Sequence, residues 1–222
     1  MIRATAHTAT RAPVRRKRRR GPSRAVARRR RYLAIGLAVL LGGLTALVVS
    51  NIGTLDRAVR EITLPLRHED IIRQQAAEKN LDPAFLAAVI YQETKFRPRT
   101  SSAGAKGLMQ LLPNTATFIA RKSGGTRFGL ADLANPQVNI AYGSWYLRYL
   151  MDKYHDNVVL TAAAYNAGER NVDEWVAKAG GTDQFDAARD IPFPETRSYV
   201  AGVLDHEKAY RHTYAKELGL SD

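Results

Sequence analysis

From residue 66 onward apolar side chains recur at spacings of three and four, and no stretch longer than five residues alternates as a strand would. His68–Lys79 places Ile71, Ile72, Ala76 and Ala77 toward one face. Asp82-Pro83 opens a second helix, because a carboxylate caps free amides and proline fits the first turn. That helix aligns Phe85, Leu86, Val89 and Ile90, and it ends near Phe96 because Pro98 restricts its predecessor. Pro113 starts a third helix through Arg121, closed by Ser123-Gly124-Gly125. Asn135-Pro136 then opens the longest periodic run, with Ile140, Trp145, Leu147, Leu150 and Met151 in it and Tyr154 near its end. Val158–Ala167 stops at Gly168 and Asn171–Ala179 stops at Gly180-Gly181. A last helix is expected from near Glu195 to about Leu218. The pattern predicts an all-α domain of six to eight helices over about 150 residues.

A different pattern precedes this domain. From Leu33 to Val49 the only polar side chain is Thr45, and extension to Ile52 gives 20 residues. At about 1.5 Å per residue these span about 30 Å, the thickness of a bilayer's hydrocarbon core. The run is long for a signal peptide, and Val48, Val49, Ser50 and Asn51 give no A-x-A cleavage pattern, which favours an uncleaved signal-anchor helix. Arg28 through Arg31 abut its amino end, so the positive-inside bias puts residues 1–31 in the cytoplasm and the folded part outside. The expected organisation is a disordered basic tail (1–31), a single transmembrane helix (32–52), a short linker (53–65) and a folded domain (66–222). The expected location is a single pass in the cytoplasmic membrane.

Composition refines this picture. The net charge of +13 suggests a nucleic-acid binder until it is located. Residues 1–31 hold twelve Arg and one Lys without an acid, and the remaining chain carries 21 basic and 21 acidic residues. The tail's charge is accounted for by orientation and by contact with anionic inner-leaflet lipid, so the membrane is a predicted partner and nucleic acid is not. With no cysteine, disulfides, thiolate metal sites and a cysteine nucleophile are excluded. His68, His155, His206 and His212 lack metal-site spacing and acidic partners, so no metal or cofactor is expected.

One acid stands apart. After Glu93, Asp and Glu are absent from Thr94 through Ala131, a stretch of 38 residues. Locally the plainer reading is an exposed helix glutamate. Against it, apolar neighbours raise a carboxyl pKa, and a general acid must hold its proton near neutrality. Thr100, Ser101, Ser102 and Gly104 follow, offering hydroxyls and room for a polymer to approach.

Read together, ETKF…SSAGAKGLMQLLPNTA, NPQVNIAYGSWYL, AAAYNAG and PFPETRSYV resemble the lytic transglycosylases of the soluble-lytic-transglycosylase catalytic domain family. The resemblance covers residues 67–212 and implies a lysozyme-like (goose-type) helical fold and cleavage of peptidoglycan glycan strands. It puts Glu93 on the catalytic glutamate and Ser101 on the serine that hydrogen-bonds near it. Gln110 falls on the glutamine that reaches the substrate's acetamido groups, and Tyr165 and Asn166 on the wall of the cleft. Glu195 matches a sugar-contacting glutamate and Tyr199 the tyrosine that hydrogen-bonds the acid. Two departures stand out. Thr94 replaces the usual serine, and the loop after Glu93 is one residue shorter than in many members, which leaves Ser101 and Ser102 as alternatives. Met109 is as good a core filler as a substrate contact, and Tyr142 and Tyr146 read better as packing aromatics.

The resemblance implies a substrate-assisted reaction with one carboxyl group, consistent with the acid-free stretch. Glu93 protonates the oxygen between N-acetylmuramic acid and N-acetylglucosamine, then as carboxylate takes the muramyl C6 hydroxyl proton, leaving 1,6-anhydromuramyl ends. A hydrolytic muramidase and a non-catalytic peptidoglycan-binding module are the alternatives. Cell-wall synthesis or division proteins are further candidate partners.

Overall fold

The structure is a computed structural model and describes residues 24–125 and 127–220. Contacts divide the chain into two compact units, 1–56 and 57–222. Most of the expected basic tail lies outside the described residues, and the first helix, α1 (Arg24–Thr63), starts within its last part.

The transmembrane helix expected over 32–52, and with it the single-pass membrane location, is corrected. Among the described residues no helix is long and apolar enough to cross a membrane. The expectation took 20 apolar residues as a discrete span with a linker behind it. They belong instead to a 40-residue helix whose sequence passes through Asp56, Arg57, Arg60 and Glu61 to Thr63, so the expected linker is largely helical.

In the second unit the helical reading holds. The elements are α2 (Glu69–Lys79), α3 (Pro83–Thr94), α4 (Pro113–Ser123), α5 (Pro136–Lys153), α6 (Val158–Ala167), α7 (Glu169–Ala179), the short α8 (Ala187–Asp190) and α9 (Pro194–Thr213). Their starts follow local chemistry. Asp82 accepts from the amides of Ala84 and Phe85, and Asn135 from that of Gln137, each ahead of a proline at the first helical position. Gly124 closes α4 with φ 81°, a backbone state that costs glycine nothing. The last helix ends at Thr213, five residues before the expected Leu218.

α3 is buried on every side, with Phe85, Leu86, Ala87, Ala88, Val89 and Ile90 all inaccessible. An all-round apolar helix must lie at the centre of a domain, and α3 packs most extensively on α9. α6 is similarly central, with Leu160, Ala162, Ala163 and Ala164 inaccessible. The only strands among the described residues form a two-residue antiparallel pair, β1 (Arg99–Thr100) and β2 (Lys106–Gly107), with Thr100 opposite Lys106. Strands this short carry no alternation that a sequence could display.

Candidate active site

Glu93 lies in the last turn of α3, where the central helix leaves the core. The chain then reverses through Lys95 and Phe96, both left-handed at φ 50° and 60°, and Phe96 is pinned by burial against Tyr210 of α9. This reversal fixes where the acid stops and the hairpin begins.

The Glu93 carboxyl group is half-buried, and its Oε1 accepts a hydrogen bond of 2.8 Å from the Tyr199 hydroxyl of α9. Burial pushes its pKa up to about 7, although the Tyr199 hydrogen bond and the positive charge of Arg99 both pull it down. Among the described residues no carboxylate acts on it. Burial and the charge of Glu93 hold the Tyr199 and Tyr165 hydroxyls well above their ordinary range, so both stay neutral donors. The result is one carboxyl group that keeps its proton near neutrality and has a neutral donor ready for its anion.

The remaining predicted residues occupy different positions. Tyr165, on α6, donates to the carbonyl of Met109 at 2.8 Å, which ties the Gly107–Gln110 segment to the central helices. Asn166 accepts from the Thr196 hydroxyl at 2.8 Å and joins α6 to α9. Gln110 has a left-handed backbone (φ 47°), and its amide nitrogen donates to the carbonyls of Arg99 and Gly107, each at 2.8 Å. That nitrogen therefore holds the hairpin. Ser101 Oγ accepts from the amide of Ala105 at 3.0 Å and closes the tip; no hydrogen bond joins it to Glu93. Ser102 and Glu195 are exposed, the latter in the first turn of α9. Met109 and Tyr146 belong to the core, and Tyr142 is half-buried and stacked on Phe128.

Sequence reasoning missed three supports. Thr94, read only as a serine substitute, donates its hydroxyl to the carbonyls of Ile90 (3.2 Å) and Leu108 (2.7 Å), fastening the end of α3 to the segment after the hairpin. Asn139, inaccessible on α5, accepts from the amide of Met109 (2.8 Å) and donates to the carbonyls of Lys106 (3.0 Å) and Leu133 (3.1 Å). Gly107, at φ 78°, makes room for it, since a Cβ there would sit 2.1 Å from Asn139 Nδ2. Arg99 places Nη2 3.2 Å from the main-chain oxygen of Glu93.

Tyr199→Phe tests the acid's partner. Loss of a hydrogen bond to a charged group is expected to lower kcat/KM by about 10- to 100-fold. It also removes a contact that favours the carboxylate, so the alkaline limb of the pH profile should move to higher pH. An unchanged limb would separate Tyr199 from the acid's ionisation.

The fold and this lone desolvated carboxyl group define a lysozyme-like helical domain. A family model described as the transglycosylase SLT domain matches residues 70–187. The chain is 35% identical over 166 residues to the soluble lytic murein transglycosylase of Salmonella typhimurium, covering 73% of this chain and 26% of that one. Among solved structures, an inactive glutamate-to-glutamine mutant of the lytic transglycosylase Slt from Pseudomonas aeruginosa is 34% identical, with a TM-score of 0.63 over 69% of this chain and 25% of that one. The 70-kDa soluble lytic transglycosylase in complex with bulgecin A is 30% identical, with a TM-score of 0.66 over 73% of this chain and 27% of that one. The chain belongs to the transglycosylase SLT domain family. It spans about a quarter of the length of the soluble lytic murein transglycosylases it matches.

Proposed function

We propose that this chain is a peptidoglycan lytic transglycosylase in which Glu93 acts first as acid and then as base. The observation that carries the reading is a single carboxyl group, raised to about 7 by burial and accepting from Tyr199, with no carboxylate among the described residues acting on it. Two-carboxylate glycosidases need a second acid to form or activate a nucleophile. Here the muramyl 2-acetamido group stabilises the cationic centre and the muramyl C6 hydroxyl is the nucleophile. Tyr199 occupies Oε1, which leaves Oε2 to give its proton to the glycosidic oxygen. The resulting carboxylate, steadied by the Tyr199 hydroxyl, takes the C6 proton as that oxygen attacks C1. Acid and base are one group used twice.

The other roles are those the family resemblance implies. Tyr165 and Asn166 wall the site from α6, and the carbonyl oxygen of Gln110 is left to accept from an acetamido N–H. Glu195, exposed on α9, meets a sugar hydroxyl. Ser101, whose oxygen closes the hairpin tip, keeps its hydroxyl proton to donate toward the acid or substrate, and Ser102 is the alternative. Residues 66–222 are the catalytic unit. The matched Pseudomonas relative is inactive as a glutamate-to-glutamine mutant, which supports an acid of this kind.

Digestion of purified sacculi with mass spectrometry of the products tests the reading. Wild type should release muropeptides with 1,6-anhydro ends. Reducing ends would mark a muramidase, and no release would leave a binding module. The acid must be protonated at the start, so kcat/KM should fall about tenfold per pH unit above about 7. A profile flat through pH 9 would remove Glu93 as the acid.

A further inference from the structure

The mechanism uses the carboxyl group and its tyrosines and leaves the charges of the hairpin without a task. Arg99 is, among the described residues, the one charged side chain whose field acts on the Glu93 carboxyl group. Neither Arg99 nor Lys106 joins any ion pair recorded among the described residues. Both line a cavity of about 290 Å³ between the hairpin and the 3-10 turn Leu130–Ala134, whose other walls include Thr100, Leu130, Ala131 and Ala134.

The excess of positive charge is regional. Thr94–Ala131 carries seven basic residues and no acid, whereas 32–93 and 132–222 together carry 14 basic and 21 acidic residues. The stretch that follows the acid is therefore cationic within an otherwise acidic domain, the arrangement that draws in an anionic ligand. An uncompensated guanidinium is suited to a carboxylate, which it binds through charge-assisted and bidentate hydrogen bonds. Along a peptidoglycan strand the sugar backbone is neutral. Its carboxylates sit on the muramyl substituent, either as the free lactyl group or on the peptide attached to it.

We propose that the Arg99–Lys106 hairpin is a carboxylate subsite that selects the muramyl substituent and, when filled, sets a counter-charge against Arg99. The proposal rests on the function given above. Three groups face the acid: Arg99 from the hairpin, Tyr199 from α9 and Tyr165 from α6. The tyrosines stay neutral, so Arg99 is the charge that a ligand can alter. In the empty site Arg99 favours the Glu93 carboxylate. Once its charge is met by substrate that bias is lost, and the acid shifts toward the protonated form the first step needs. The anion that binds also arms the acid.

The test compares the full chain with its Arg99→Gln/Lys106→Gln variant on three soluble glycans of equal length. One bears peptides, one is peptide-free with free lactyl carboxylates, and one is peptide-free with those groups converted to methyl amides. The variant's KM should rise tenfold or more on a charged substrate and not on the neutral one. A loss confined to the peptide-bearing glycan assigns a peptide carboxylate, and one confined to the free lactyl glycan assigns the lactyl group. Arg99→Gln alone should move the alkaline limb of kcat/KM to higher pH, and Arg99→Lys should restore it. Equal KM for wild type and double variant on both charged glycans, or an equal loss on all three, overturns the proposal. Calorimetry with the Glu93→Gln protein keeps it separate from catalysis. Tighter binding of charged than neutral glycan, abolished when Arg99→Gln and Lys106→Gln are added, would uphold the subsite even if wild type cleaved nothing.

Discussion

Glu93→Gln should reduce muropeptide release by about 1,000-fold or more while making the protein more stable at alkaline pH. General acid-base catalysis contributes about 100- to 10,000-fold, and a group used for both transfers belongs at the upper end. Glutamine keeps the shape and an oxygen to accept from Tyr199, so binding should survive. The stability effect has a definite sign. Glu93 ionises near 7 in the folded protein against an ordinary 4.5. The folded state therefore holds the proton more tightly, an advantage fully present below about pH 4.5 and lost as pH rises through about 7. The loss is on the order of 3 kcal/mol, at 1.36 kcal/mol per pKa unit. The variant escapes it, so its Tm should exceed that of wild type by about 6–12 °C at pH 8 and match it near pH 4.5. Thermal melts at the two pH values read this directly. A variant less stable at pH 8 would mean that the carboxylate is well solvated.

Asn139→Ala should cost about 3–5 kcal/mol of stability. Its side chain makes three hydrogen bonds, to Met109, Lys106 and Leu133, from a position with no solvent access. Truncation orphans one amide and weakens two carbonyls, at about 1–3 kcal/mol for each buried group left unsatisfied. Urea denaturation measures the loss. A cost below about 1 kcal/mol would mean that water replaces the amide, which the close approach of Gly107 opposes. Because the same side chain holds the carbonyl of Lys106 and the amide of Met109, the variant's remaining folded fraction should also carry a loosened hairpin.

The frame of the domain was legible because its punctuation is local. Asp82, Asn135 and Gly124 each act on neighbours within a few residues, so the chemistry of capping places them without knowledge of the fold. Glu93 and Tyr199 stand out only in the company of four segments, since neither is distinctive alone, and the structure joins them by a hydrogen bond. What escaped was long-range. Gln110 reads as a substrate contact and Ser101 as the hydroxyl partner near Glu93; that Gln110 also gives its amide nitrogen and Ser101 its oxygen to the hairpin is visible only when strands two residues long pair. Asn139 left a trace, a polar residue in register with Gly143 and Leu147 on an apolar face, which marks a buried side chain with partners to find. The helix over 24–63 defeated the pattern for a different reason: an apolar run taken by itself says nothing of the charged turns into which its helix continues.

The bond between Tyr199 and Glu93 closes 106 positions of chain. A ribosome delivers Glu93 with α3 and Tyr199 only later, with α9. Until α9 docks on α3, the acid faces water and titrates as an ordinary glutamate, unprotonated at neutral pH. The activity proposed for this site, assembled this way, would stay silent in any nascent chain that still lacks Tyr199, and truncation ahead of Tyr199 should yield an inert product.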